Sequence, residues 1–282
     1  MKKLVSLAWL ILAAGPAFAQ PTGEMAWQTL TDGLKDGNPV KRIAAIVAMS
    51  VIRPQPKPVA MVEGTLDDKD FGVRQAACNT LGSIQSRASI PKLKTMLDDK
   101  APEVIFAAAK SLYAMGDPAG RQVLSDILVG EQKGASGFLP TSLRDARLKL
   151  HDPKALLLIG VNQAAAFLGP AGAGVPVAEQ LLKDGQASGK TVAALLLATD
   201  KSEESKAAVK TALGDKNWTV RSAALRAASL RDLTELYPDA APLIDDKRDE
   251  VKYSAAAAMI RLKQSPARRP AVKKAAAKTS AQ

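Results

Sequence analysis

Small and apolar residues recur along this chain at the spacing of one helical face. From Val73 they fall at Ala76, Ala77, Thr80 and Leu81, and from Val104 at Ala107, Ala108, Ser111 and Leu112. From Val220 they fall at Ala223, Ala224, Ala227 and Ala228, and from Val251 at Ser254, Ala255, Ala258 and Met259. Steps of three and four residues trace one side of a 3.6-residue helix. Alanine at these positions favours the helix and lets neighbouring axes come close. Ahead of each stripe the pattern predicts a shorter helix, as at Ile90 to Leu97, Pro118 to Val129 and Ser205 to Leu213. Asp117-Pro118 supplies a cap and a first-turn proline, and Ser202-Glu203-Glu204 a cap with two carboxylates. Asp70 and Asn217 stand where stripe-bearing helices should begin. The predicted unit is helix, tight turn, helix.

That unit repeats. An aspartate ahead of each stripe marks the phase, at Asp36, Asp68, Asp99, Asp152, Asp184, Asp215 and Asp246. The intervals are 32, 31, 53, 32, 31 and 31 residues, so one interval holds an insertion, placed at about 130–150. LDDKDFGVRQAACNTL (66–81) and LGDKNWTVRSAALRAA (213–228) agree at the Asp, the Lys, the Val-Arg pair and both alanines. Helix pairs of this kind cannot bury their apolar faces alone and must stack. The expected fold is all-α, a solenoid of about seven stacked pairs over residues 20–262.

The pattern Asp-x4-Val-Arg-x2-Ala-Ala resembles HEAT repeats of the phycobilisome-lyase type. The likeness runs from Asp36 to about Leu262. It is carried by Asp36, Arg42, Asp68, Val73, Arg74, Asp99, Val104, Asp152, Asp184, Asp215, Val220, Arg221, Asp246 and Val251. SLRDARLKLHDPKALLLIG and GPAGAGVPVAEQLLKDG, within 137–194, are similar to bacterial envelope proteins built from HEAT repeats. Lys41 replaces the motif's valine, and Ile105 and Lys252 replace its arginine. Departures are expected at end units, which face water on one side. The resemblance implies a protein-binding scaffold without a cofactor. Two HEAT-like enzyme families are disfavoured by residue content. Deoxyhypusine hydroxylase holds two irons through His-Glu pairs, and this chain has no His-Glu dipeptide. Alkylpurine glycosylases use aromatics, a carboxylate and a basic concave face. A bilin lyase, which handles a chromophore, is disfavoured by the leader described next.

Lys2 and Lys3, the apolar run Leu4 to Gly15 and the small-x-small site Ala17-Phe18-Ala19 read as a signal peptide over 1–19. The run is shorter than the ~20 residues a bilayer span needs. A periplasmic or secreted chain beginning at Gln20 is the expectation. The net charge is +11, of which two cations lie in the leader and six after Leu262, leaving +3 for the repeats. Residues 263–282 are rich in Ala, Lys, Pro and Ser and are expected to be disordered. Arg268, Arg269, Lys273, Lys274 and Lys278 are candidate contacts for polyanions such as anionic envelope polymers or lipid headgroups, with nucleic acid disfavoured by the leader.

Candidate chemistry is sparse. With one His (His151) and one Cys (Cys78), no His/Cys metal cluster can form. Cys78 lies beside the Ala76-Ala77 stripe and reads as a buried thiol. Gly189-Lys190-Thr191 lacks the glycine five residues upstream, where Asp184 stands, and no strand precedes it, so it is not a phosphate loop. The glycines of 169–174 read as a turn between helices. Neither a catalytic nor a metal constellation emerges. The insertion is a surface loop that a regular scaffold would use for function or merely tolerate.

Overall fold

Residues 22–129 and 185–265 are described by the computed structural model, and every regular element among them is helical. The leader, the insertion at 130–150, His151, Asp152, Asp184, the stretch 169–174 and the tail cations from Arg268 onward lie outside the described residues.

Short polar side chains start many of the helices. Thr22 caps α1 (Gly23–Lys35) by accepting from the Met25 amide, and Asn38 caps α2 (Pro39–Ala48) through the Val40 amide. Asp70 caps α4 (Phe71–Ser83), Ser202 caps α9 (Glu203–Leu213) and Asn217 caps α10 (Trp218–Leu230) in the same way. Proline opens α3 (Pro56–Glu63), α6 (Pro102–Ala114) and α7 (Pro118–Val129), where its missing N–H would have had no partner. Three prolines within six residues make Arg53–Pro58 read as a stiff turn, but helix begins inside it at Pro56. The remaining helices are α5 (Ile90–Thr95), α8 (Gly185–Leu196), α11 (Tyr237–Ala240) and α12 (Asp249–Gln264). Pro238 and Pro242 hold α11 to one turn, continued by the 3-10 segment Ala241–Asp245.

Three stripe-bearing helices end on the same left-handed turn, at Gln85 (φ 54), Gly116 (φ 79) and Asp232 (φ 53). In each, the next amide reaches back to a carbonyl of the last helical turn: Ser86 to Leu81, Asp117 to Leu112, Leu233 to Ala228, all at 2.9–3.0 Å. The apolar stripes are buried. Val73, Ala77, Thr80, Leu81, Val104, Ala108, Leu112, Val220, Ala224, Ala227 and Ala228 lie in the interior. Axes approach closely where side chains are smallest. A Cβ on Gly82 would stand 2.4 Å from Ser111 Oγ, and that hydroxyl donates to the Cys78 carbonyl at 2.9 Å.

The stripe-bearing helices pack side by side, but their order in space differs from their order in the chain. α2, α4 and α6 are neighbours, and so are α8, α10 and α12. α12 then packs against both α1 and α2. The row runs α8, α10, α12, α2, α4, α6. The units marked by Asp36 and Asp246, expected as water-facing ends, are joined to each other in the interior. The physical reason lies in α12, which buries Val251, Tyr253, Leu262 and every residue from Ala255 to Ile260. A helix apolar on nearly all sides needs neighbours on both flanks. Gly33 lets α1 close on this seam, since a Cβ there would meet Tyr253 Cε1 at 2.6 Å and Ala45 Cβ at 2.8 Å. Lys41, the departure from the motif's valine, bridges Asp36 (3.4 Å) and Asp249 (3.2 Å) across it. α12 also runs two residues past the domain boundary drawn at 262, and Lys263 lies over the Tyr237 ring at 5.1 Å.

Candidate functional site

The motif residues form a ladder along the row, at the N-terminal ends of the stripe-bearing helices. The Arg74 guanidinium donates through Nε and Nη2 to both oxygens of Asp99, at 2.7 and 2.8 Å. Its Nη1 donates to the carbonyls of Asp68 and Lys69 in its own turn. Arg42 does the same with Asp68 and the Asp36 and Gly37 carbonyls, and Arg221 with Asp246 and the Asp215 and Lys216 carbonyls. Each aspartate also accepts from the amide two residues on, as Asp68 does from Asp70 and Asp246 from Arg248. One arginine thus fastens its own turn to the next unit through a bidentate, charge-assisted pair. Lys190 occupies the arginine position six residues after Asp184 and makes a single contact to Asp215 at 2.8 Å. This gives the Gly-Lys-Thr triplet a structural role, and Thr191 shares a buried hydrogen bond with Thr219. Ile105 leaves its rung without an arginine. Val104 and Val251 are buried beneath the ladder.

The rung carboxylates titrate low. Burial is the largest single influence on Asp68 and Asp246 and would raise them, but the Arg42 and Arg221 guanidiniums together with the backbone N–H groups of Asp70 and Arg248 outweigh it. Hydrogen bonds from Arg74 lead for Asp99, and Lys190 for Asp215. A carboxylate whose folded pKa is depressed adds stability above its unfolded value, and that stability is lost as pH falls through the folded one. The denaturant midpoint should therefore be level above about pH 5 and fall steeply below about pH 4, near the unfolded carboxylate value. A urea series across pH checks this; a midpoint unchanged down to about pH 3 would contradict it.

A second charged cluster holds the seam at the opposite ends of the same helices. Asp232, in its left-handed turn, accepts from Arg261 Nε at 2.7 Å, from Arg53 Nη2 at 3.0 Å and from Ser265 Oγ. Arg261 also donates to the Val51 carbonyl. Asp232, Arg53 and Arg261 belong to no repeat motif and meet across 179 and 29 residues of chain, so spacing along the sequence does not mark them.

Cys78 is fully buried, and burial pushes its thiol up to about 12, so it is inert at neutral pH. Among the described residues no three of His, Cys, Asp and Glu gather in a way suited to a metal. No described helix is long and apolar enough to cross a membrane.

The face left by these contacts is the outer side of the stripe-bearing helices. It exposes large apolar side chains at Val40 (49%), Phe71 (49%), Phe106 (49%) and Tyr113 (58%). Phe106, Lys110 and Tyr113 form one line along α6, at steps of four and three residues. Exposed aromatics on a rigid helical face are the usual anchors of protein contacts.

The profile described as HEAT repeats matches residues 27–105, 60–134 and 175–260. No curated protein matches the sequence. Among solved structures the chain is similar to human deoxyhypusine hydroxylase in complex with glycerol. The two share 20% identity over 86% of this chain and 96% of that one, with a TM-score of 0.32. A likeness at that level carries no argument about activity.

Proposed function

The chain belongs to the HEAT-repeat family, and from that premise we propose that it is a non-enzymatic scaffold of the cell envelope that seats a partner protein on the outer face of its stripe-bearing helices. Repeats of this family commonly hold other proteins. The observation that carries the reading is the line Phe106, Lys110, Tyr113 on α6, exposed on helices that the Arg–Asp ladder holds in register. The envelope location rests on the leader pattern of residues 1–19.

The test is affinity capture from envelope extract of the native host, with the exported chain as bait and a Phe106→Ser/Tyr113→Ser variant beside it. A partner retained by the wild type and lost from the variant is the expected result. No retained partner, together with turnover of a substrate, would overturn the reading.

A second reading has its own observation. The cations Arg268, Arg269, Lys273, Lys274 and Lys278 follow one another without an acid, which favours weak, salt-dependent contact with envelope polyanions. Glutamine at all five should abolish retention on heparin; unchanged retention would remove this role.

A further inference from the structure

Each stripe-bearing helix meets the next one in the row along a single flank. The positions seven, eleven and fourteen residues after the marker aspartate form a ridge there, at steps of four and three. At the first of them, Thr191 shares a hydrogen bond with Thr219 on α10, and Ser222 shares one with Ser254 on α12. Ile43 Cδ1 lies 3.3 Å from the place a Cβ would take on Gly72 of α4, and Tyr253 packs against Gly33 of α1. At the last of them, Gly82 abuts Ser111 of α6. Five helices have a following neighbour in the row: α8, α10, α12, α2 and α4. In none of the five is a residue at these positions exposed.

α6 is the exception. Its three residues are Phe106, Lys110 and Tyr113, all of them exposed, and no stripe-bearing helix follows it among the described residues. α7 packs on α6 through Gly120, whose Cβ would stand 2.5 Å from the Ala109 carbonyl oxygen, and leaves the line open. The regular features of the repeat also fail at this unit. Ile105 stands at the rung position, and the interval after Asp99 is the irregular one of 53 residues. The line is thus one half of an inter-unit interface that every other unit completes.

The molecule also shows what completes it. Tyr253 is the other aromatic seven residues after a marker, and it is buried because a glycine faces it: a Cβ on Gly33 would come within 2.6 Å of the ring. The helices that meet this flank elsewhere do so with Gly72, Ser111, Thr219 and Ser254. A ridge of large side chains is closed by a helix with small ones opposite.

We propose that Phe106, Lys110 and Tyr113 receive one α-helix of the partner protein, which packs along α6 as a further stripe-bearing helix would and sets glycine, alanine or serine against the two rings. Lys110, between the rings, calls for a carboxylate on that helix, since an ammonium covered without an anion carries a desolvation cost. The proposal rests on the scaffold reading and names the element of the partner that is held.

The test places the photocrosslinking residue p-benzoylphenylalanine at 106 or at 113 of the full chain in the native host. The expected adduct joins a captured partner. Its crosslinked segment, made as a synthetic peptide, should bind the full chain and gain helical circular dichroism on binding. Leucine in place of the small residue at the adduct should weaken the peptide at least about tenfold, because an added side chain overfills a helix contact. Lys110→Glu should weaken binding in the same assay, and Lys201→Glu, an exposed charge change elsewhere, should not. The Phe106→Ser/Tyr113→Ser variant should keep the wild-type Tm, because both side chains face water in the free chain. A lower Tm for that variant, or adducts confined to residues 130–184 of the same chain or to a second copy, would overturn the proposal. A captured partner with no adduct at either position, or one whose crosslinked segment binds without forming helix, overturns this inference and leaves the scaffold reading standing. Capture of no partner at all strikes the scaffold reading itself.

Discussion

A chain that stops at Arg248 should lose cooperative folding altogether. In a linear solenoid, removing the last helix costs only the contacts of one end unit. Here that helix is α12, with α10 on one flank and α1 and α2 on the other. Its loss strips the cover from the faces of α1, α2 and α10 that pack against it. It also removes Arg261 and Ser265, which leaves Asp232 with only Arg53. The expected destabilisation exceeds about 5 kcal/mol, comparable to the whole stability of an ordinary domain. Thermal circular dichroism and hydrogen exchange of the α1 and α2 amides would report it. A truncated chain with one sharp transition and protected α1 amides would show that the seam does not hold the halves together.

Arg74→Ala should cost about 3–5 kcal/mol, the range for removing one member of a buried pair and leaving the other charged. Asp99 and Arg74 have side chains only 7% and 16% exposed, so water does little to compensate. The two carbonyls that Arg74 holds would lose a donor as well. Arg74→Lys should recover only part, because an ammonium cannot make the forked contact. The chain already contains that weaker rung. Lys190 meets Asp215 through one oxygen, with its side chain 58% exposed. Urea unfolding of both variants gives the comparison, and an Arg74→Ala midpoint within error of the wild type would show the ladder to be idle.

Much of the local structure could be read from residue spacing, and the reasons are specific. Val73-x-x-Ala76-Ala77 and its copies specify helix type, buried side and phase together. Caps such as Asp70 and Asn217 specify where helices begin. The rungs were half visible. Asp68 and Arg74 stood out as repeated residues, but the pairing runs from an arginine to the aspartate 25 or 26 residues later, in the next unit. A spacing counted within one unit misses it.

The order of the units was harder, because identical units carry no label for which neighbour they face. One signal was present. The segment YSAAAAMIRL (253–262) has almost no polar side, whereas an end unit needs one to meet water. The seam cluster had no such trace, since Asp232 occupies a position filled by Gln85 and Gly116 in other units.

The seam between α12 and the first helix pair also sets an order of events during synthesis. The flank of α1 and α2 that meets Tyr253 is made early, and the helix that covers it is made last among the described helices. Until then the early units carry an open greasy side through translation. A chaperone that shields that side, or a delay in its folding, is the cost of an array whose middle is completed last.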